Sequence, residues 1–235
     1  PYQNYEYYLK NGYAPQFMQN TLHFNNGNQT FSETAYLSEI AATEWSWSPV
    51  IADFDNDGFK DIYITNGILG ATSDMDFISN DAIQKQLATE KSERNLKLSA
   101  QILQKKVKHY FFKNKKDQTY SNTTTSWSNT NSSFSNGAVS IDLDNDGHLD
   151  LVVNNINEEA FVLENTSTVK NNYLDIKFIG GNKNLFGIGV KVKAYYNHQV
   201  ITEENYTAKK YLSSGSPEIH LGLGTSKIVN SLQII

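Results

Sequence analysis

A nine-residue acidic pattern occurs twice in this chain and limits its fold more than any other feature. It runs Asp53-Phe54-Asp55-Asn56-Asp57-Gly58-Phe59-Lys60-Asp61 and returns as Asp142-Leu143-Asp144-Asn145-Asp146-Gly147-His148-Leu149-Asp150. Both copies fit D-x-D-x-D-G-x-x-D. Carboxylates at alternate positions, then a glycine, then a fourth carboxylate, form a cage of hard oxygens. Like charges this close repel one another unless a cation sits among them. Calcium accepts roughly 6 to 8 oxygen ligands at about 2.3–2.6 Å, so it is the natural counter-charge. Gly58 and Gly147 supply a tight turn where a Cβ would obstruct the backbone. The backbone carbonyls of Phe59 and His148 can then turn inward as a further ligand.

The flanking sequence separates this loop from a helical calcium motif. An EF-hand needs a glutamate at loop position 12, and that position holds Ile64 in the first copy and Val153 in the second. Ser48-Pro49-Val50-Ile51-Ala52 leads into the first loop and Ile62-Tyr63-Ile64-Thr65 leads out. Ala138-Val139-Ser140-Ile141 and Leu151-Val152-Val153 flank the second. Short β-branched runs of this kind are strands, so each loop is expected to join two strands of a hairpin. The hairpin is expected on the outside or edge of its sheet, with its ligands supplied by the loop itself. A plain acidic turn without metal is the alternative; the recurrence of all four carboxylates at one spacing argues against it.

The loops belong to a longer repeat. At an offset of 89 residues, the distance from Asp53 to Asp142, Leu22 falls on Phe111, Asn25 on Asn114, Phe31 on Tyr120 and Asn66 on Asn155. Each unit opens with an apolar strand and an Asn-rich turn, continues through an aromatic strand position, and ends in the acidic hairpin. A third unit opens at Phe161-Val162-Leu163-Glu164-Asn165. Asn66 to Asn114 is 48 residues, whereas Asn155 to Asn165 is 10, so the first unit carries an insertion of 38 residues at about 68–108. The remaining period of 51, Asn114 to Asn165, suits a β-propeller blade. Most of the insertion is expected to be one helix over about 81–108, with Leu96, Ile102, Leu103 and Val107 on its apolar side. It is read as packing on the side or rim of the blades. Two blades and a fragment do not close a propeller, which typically needs about four to eight.

Composition excludes several classes. Net charge is −5, and the two loops contribute eight of the carboxylates, so the acidity is local to the candidate metal sites. No basic stripe points to nucleic acid. There is no cysteine, hence no disulfide or thiol chemistry, and no lipobox cysteine. No apolar run reaches the length of a transmembrane helix. The start at Pro1 and the strand-like end Ser231-Leu232-Gln233-Ile234-Ile235 are read as those of a piece of a longer polypeptide.

From about Asn171 the pattern changes. Tyr173-Leu174-Asp175-Ile176-Lys177-Phe178 and Val190-Lys191-Val192-Lys193-Ala194-Tyr195-Tyr196 alternate as strands do, with turns at Gly180-Gly181-Asn182 and Asn197-His198. Ile219-His220-Leu221-Gly222-Leu223-Gly224 precedes a last strand expected near Ile228. The fold class expected is all-β: partial propeller blades over 1–170 with one helical insertion, followed by a small β-sheet module over 171–235.

Taken together, Ala52 to Gly58 and Ile141 to Gly147 resemble the calcium hairpins of FG-GAP/VCBS repeats, the blades of integrin-α-type propellers. Gly187-Ile-Gly-Val-Lys-Val192, Tyr211-Leu-Ser-Ser214 and His220-Leu-Gly-Leu-Gly224 resemble the ASPIC/UnbV module. That module follows such repeats in proteins similar to cartilage acidic protein and in Bacteroidota surface or secreted proteins. The resemblance implies a calcium-stabilised extracellular propeller. Carried over residue by residue, Asp53, Asp55, Asp57 and Asp61 would bind one calcium ion, and Asp142, Asp144, Asp146 and Asp150 a second. It implies an extracellular or cell-surface location, with the bacterial outer membrane, a lipoprotein anchor and outer-membrane complex subunits as its setting, and a protein or glycan as ligand. Fold alone does not assign an activity.

The chain offers little for catalysis. None of His23, His109, His148, His198 and His220 has zinc spacing, and no nucleophile elbow or phosphate loop appears. Glu203 and Glu204 are adjacent, so in a strand they face opposite sides and are read as a solvated edge. Trp45, Trp47 and Trp127 are candidates for an aromatic binding platform, although packing between blades is the plainer expectation. The chain is therefore expected to be a non-enzymatic binding module. The alternative is an accessory domain of a secreted polysaccharide-processing enzyme whose active site lies outside this segment.

Overall fold

The structure, a computed structural model, describes residues 2–14, 17, 19–69, 106–129 and 131–235. The chain divides into two compact units, Pro1–Thr43 and Glu44–Ile235. In the first, helix α1 (Tyr2–Lys10) ends at Gly12, which takes a φ of +78° that a glycine adopts without a Cβ clash. This helix has no counterpart among the expectations from sequence. Strands β1 (His23–Asn25) and β2 (Phe31–Glu33) then pair antiparallel, as the Asn25-Asn26-Gly27 turn predicts. Asn25 Oδ1 accepts the Gly27 N–H at 2.8 Å, the local bond that makes asparagine a turn former.

The second unit holds the acidic hairpins. Strands β3 (Ser46–Ala52) and β4 (Asp61–Asn66) flank the first loop, and β5 (Tyr110–Asn114) and β6 (Tyr120–Asn122) complete a four-stranded sheet in the order β3-β4-β5-β6. A short helix α2 (Thr124–Trp127) leads to β7 (Ser135–Ile141) and β8 (Asp150–Asn155), which flank the second loop and pair with β9 (Phe161–Leu163). Both strand–loop–strand hairpins are therefore present where the flanking residues predict them. Ile62 pairs with Phe112 across β4 and β5, so the insertion lies between two neighbouring strands. Most of it, and with it the expected helix, falls outside the described residues. The last turn of that expectation is corrected, because Val107 forms a β-bridge with Ser133. The sheet boundary also falls in the middle of the sequence repeat: each acidic hairpin pairs with the opening strands of the following unit, not with those of its own.

The two blade sheets bury a shared core of Val50, Ala52, Phe54, Tyr63, Phe111, Ala138, Leu151 and Val153. Phe54 comes from the acidic loop and the others from the strands, and each large apolar side chain so buried is worth about 1.5–3 kcal/mol. Beneath it, His109 joins the sheets. Its Nδ1 accepts the Asn66 N–H at 3.0 Å, and its Nε2 lies 2.8 Å from Ser133 Oγ and 2.9 Å from Ser135 Oγ. Ser135 Oγ in turn donates to Asn155, the repeat equivalent of Asn66.

The C-terminal module is made of two small sheets, β10 (Asn172–Lys177) with β13 (Glu218–Gly224), and β12 (Gln199–Glu204), β11 (Lys191–Tyr196) and β14 (Ser231–Ile234). Val192, Ala194, Ile219 and Leu221 form the core between them. The final strand is Ser231–Ile234 and does not include Ile228. The Asn197-His198 turn carries φ of +42° and +61°, the left-handed pair that fits the twist of a two-residue hairpin. The module is held on the blades by its β12–β13 loop. There the Tyr211 ring lies 5.0 Å from that of Trp47, and Trp47 Nε1 donates to the Gly67 carbonyl at 2.6 Å. Trp47 is thus a packing residue. Trp127 packs against Phe111 at 6.0 Å, whereas Trp45 is 43 % exposed.

Candidate metal centre

Each acidic loop is shaped by its own carboxylates. Asp53 Oδ1 and Oδ2 accept the N–H groups of Asp57 and Gly58 at 3.0 and 2.8 Å, and Asp57 Oδ1 accepts that of Phe59 at 3.0 Å. In the second loop Asp142 Oδ2 accepts from Gly147 at 2.9 Å, Asp144 Oδ1 from Asp146 at 3.2 Å, and Asp146 Oδ1 from His148 at 2.7 Å. The ninth-position carboxylates close the loops. Asp61 accepts the N–H groups of Phe54 and Asn114 at 3.1 and 2.9 Å. Asp150 accepts those of Leu143 and Asn165 at 2.9 and 2.7 Å. Asn56 and Asn145 take φ of +58° and +60°, and Gly58 and Gly147 take +91° and +88°. The repeated sequence therefore gives a repeated backbone.

The side chains gather into two clusters. Asp53, Asp55 and Asp61 bring one oxygen each within 4.8 Å of one another, and so do Asp142, Asp144 and Asp146. Asp57 and Asp150 stand outside these triplets. Phe59 and His148 follow the turn glycine, with their N–H groups committed to the preceding carboxylate. Asp55 Oδ1 and Asp142 Oδ1 are buried with no hydrogen-bond partner among the described residues. A buried carboxylate oxygen without a partner is costly. Both sets are all-oxygen, anionic and hard, and each has an unsatisfied oxygen within its loop, so both fit a hard divalent cation.

The two clusters differ in their surroundings. Burial pushes Asp53 up to about 6, with the charges of Asp57 and Asp55 adding to it and the Gly58 N–H opposing it. Burial likewise pushes Asp61 up to about 7, against the N–H groups of Asn114 and Phe54. The first loop also has cations of its own: Lys113 pairs with Asp55, and Lys116 lies 3.0 Å from Asp57. The spacing that relates Asn114 to Asn165 places Glu164 and Ser167 at the equivalent positions beside the second loop. Asp144 and Asp146 there are exposed.

The first loop does not lie on an outer edge, as the sequence suggests, but beneath the C-terminal module. Asn56 is fully buried. Its Nδ2 donates to the Gly147 carbonyl of the second loop at 2.8 Å, and its Oδ1 lies 2.7 Å from His220 Nε2. His220 Nδ1 lies 2.7 Å from Asp175 Oδ1, and the ring stacks on Tyr173 at 5.4 Å. The Gly224 N–H donates to the Asn56 carbonyl at 2.8 Å. Asn165 and Asn171 donate to the Phe54 and Asp55 carbonyls at 2.7 and 2.8 Å. Gly222 passes so close that a Cβ on it would meet Asp53 Oδ2 at 1.9 Å. Local motif reading misses Asn56, Lys113, His220 and Gly222. The nearest sequence signal is the asparagine that recurs at positions 114 and 165.

Antiparallel sheets carrying these loops, with a small sheet module docked on them, are consistent with partial propeller blades followed by a small β module. In keeping with that, residues 13–64 match the FG-GAP-like repeat family and residues 180–235 match the ASPIC and UnbV family. The chain therefore combines an FG-GAP-like repeat, which contains the first acidic loop, with a C-terminal ASPIC and UnbV domain. A comparison with curated proteins returned no match. Among the described residues no helix is long and apolar enough to cross a membrane.

Proposed function

We propose that this chain is a non-catalytic binding module of the cell surface or extracellular space, stiffened by a calcium ion in each acidic loop. The observation that carries the reading is the pair of partnerless buried oxygens, Asp55 Oδ1 and Asp142 Oδ1, each inside a carboxylate cluster. Asp53, Asp55 and Asp61 hold the first ion and Asp142, Asp144 and Asp146 the second. Asp57, Asp150 and the carbonyls of Phe59 and His148 complete the shells. Bound calcium would supply counter-charge to both clusters. The chain's own part is to fix the loop backbone through the N–H bonds to Asp53, Asp61, Asp142 and Asp150. In the first loop the ion replaces Lys113 and Lys116 as counter-charge. The ligand is a glycan or protein at the cell surface, and the setting is that of an accessory subunit on a bacterial outer-membrane complex.

The structural character of the first ion follows from the burial of its loop between the second loop and β13. Sites of extracellular modules bind calcium at about 10⁻⁴–10⁻³ M, so a few millimolar stabilises by about 1–2 kcal/mol per site. For a domain of this size that raises Tm by several degrees, at about 2–4 °C per kcal/mol. The test is a thermal melt in millimolar calcium and then in excess chelator, repeated on Asp55→Ala combined with Asp144→Ala. A chelator-dependent fall in Tm that the double variant lacks is the expected result. Equal melts with calcium and chelator in the parent chain refute the proposal.

A further inference from the structure

A cleft of about 470 Å³ opens between the blades and the C-terminal module, bordered on one side by Asp142 and Asn145 of the second acidic loop, with Ile51, Ser140, Lys60, Tyr206, Lys209 and Lys210 also among its walls. Its charges are unevenly paired. Lys60 and Lys209 share one carboxylate, Glu203, at 2.7 and 3.4 Å. Burial opposes the Glu203 charge, but the two lysines outweigh it and hold its carboxyl below the ordinary value. Among the described residues the third ammonium, Lys210, has only a hydroxyl, donating to Ser140 Oγ at 3.1 Å. Of the other acids in the wall, Asp175 lies against His220 and Glu218 pairs with Lys177, while Asp142 accepts the Gly147 N–H through Oδ2 and belongs to the second acidic cluster. Lys60 and Lys209 thus share one carboxylate, and among the described residues Lys210 has no carboxylate partner.

We propose that this cleft binds the oxyanion of an acidic sugar, a carboxylate or sulfate borne on a glycan, with Lys210 as its principal charge partner. The proposal rests on the glycan-binding half of the function proposed above. Burial, with the charges of Lys209 and Lys60, lowers the Lys210 ammonium to about 8, and an anion beside it relieves that repulsion. The rest of the cleft suits a sugar ring. Tyr206 is 48 % exposed and Ile51 55 %, giving apolar surface beside the hydroxyls of Ser140, Thr207 and Ser216. The wall is mostly polar with some apolar surface, and its volume suits one or two sugar residues.

The test is calorimetric titration of the intact chain in millimolar calcium. The probes are an oligogalacturonate, a sulfated galacto-oligosaccharide, a neutral galacto-oligosaccharide, inorganic sulfate and a polyglutamate peptide. At least one acidic oligosaccharide is expected to bind 30-fold or more tighter than the neutral one, and Lys210→Met to weaken it tenfold or more at unchanged Tm. Should Lys210→Met fail to fold, NMR of the dimethylated lysines in the parent chain replaces it. The Lys210 titration midpoint is then expected to rise by one pH unit or more on saturation. Binding indifferent to Lys210, equal binding of sulfate alone, equal binding of polyglutamate, or no binding of either acidic oligosaccharide each overturns the proposal. A neutral oligosaccharide that binds without regard to Lys210 overturns the acidic site while leaving the glycan reading intact. The calcium reading is decided separately by the chelator melt.

Discussion

Asn56 and Asn145 occupy the same position of the same motif, with φ of +58° and +60°, yet their replacement by alanine is expected to differ sharply. Asn145 is exposed, so Asn145→Ala costs mainly the left-handed backbone, about 1–2 kcal/mol for a residue with a Cβ. Asn56→Ala pays that cost and also removes the bonds to the Gly147 carbonyl and to His220 Nε2, at 2.8 and 2.7 Å. Each buried polar group left without its partner costs about 1–3 kcal/mol. The difference between the two variants is therefore about 2–6 kcal/mol, with about 4 as the central value. Asn56→Gly removes the backbone strain but not the loss of partners, and so is expected to recover only about 1 kcal/mol. The assay is urea unfolding of the parent chain and the three variants in calcium, followed by far-UV circular dichroism and by tryptophan emission. Tryptophan is informative because Trp47 sits against the module's Tyr211. Equal destabilisation by Asn56→Ala and Asn145→Ala would refute the reasoning, since it would mean that the first loop carries no module.

Two further predictions probe the same junction and the core beneath it. Gly222→Ala places a Cβ 1.9 Å from Asp53 Oδ2 and 2.7 Å from Asn56 Cα, and is expected to destabilise by about 3 kcal/mol through overpacking. Gly181→Ala, with nothing within 4 Å, is expected to be near neutral; equal urea midpoints for the two would contradict this contact. His109 is lowered by burial from 6.5 to about 4. Because its folded value is depressed, it contributes stability that is present above pH 6.5 and lost as pH falls towards 4, roughly 3 kcal/mol in all. Urea midpoints of the parent chain and His109→Gln between pH 7 and 4 check this. The comparison cancels the opposite contribution of Asp53 and Asp61, whose raised values favour the folded state at low pH. Parallel pH profiles would contradict the prediction.

The sequence alone determined the parts of this protein whose physics is local. The hairpins follow from β-branched runs on either side of a turn that bends at a glycine. The loop backbone follows from aspartates that accept N–H groups two to five residues away, so identical motifs give identical φ values in both copies. The alternating strands of the C-terminal module follow in the same way, and both matched families fall on segments that motif reading singles out. Tertiary structure alone decided which loop is buried. Asn56 and Asn145 are indistinguishable in their motif, but Asn56 meets Gly147 across 91 residues of chain and His220 across 164. The lysines of the first loop and those of the cleft are brought together in the same manner: Lys113 reaches Asp55 across 58 residues, and Lys210 reaches Ser140 across 70. Such contacts depend on how sheets dock once their apolar faces are buried, and no local spacing encodes that choice. The acidic loops were legible because a carboxylate cage is a short-range object. Their unequal burial was not, because desolvation is imposed by whatever packs on top.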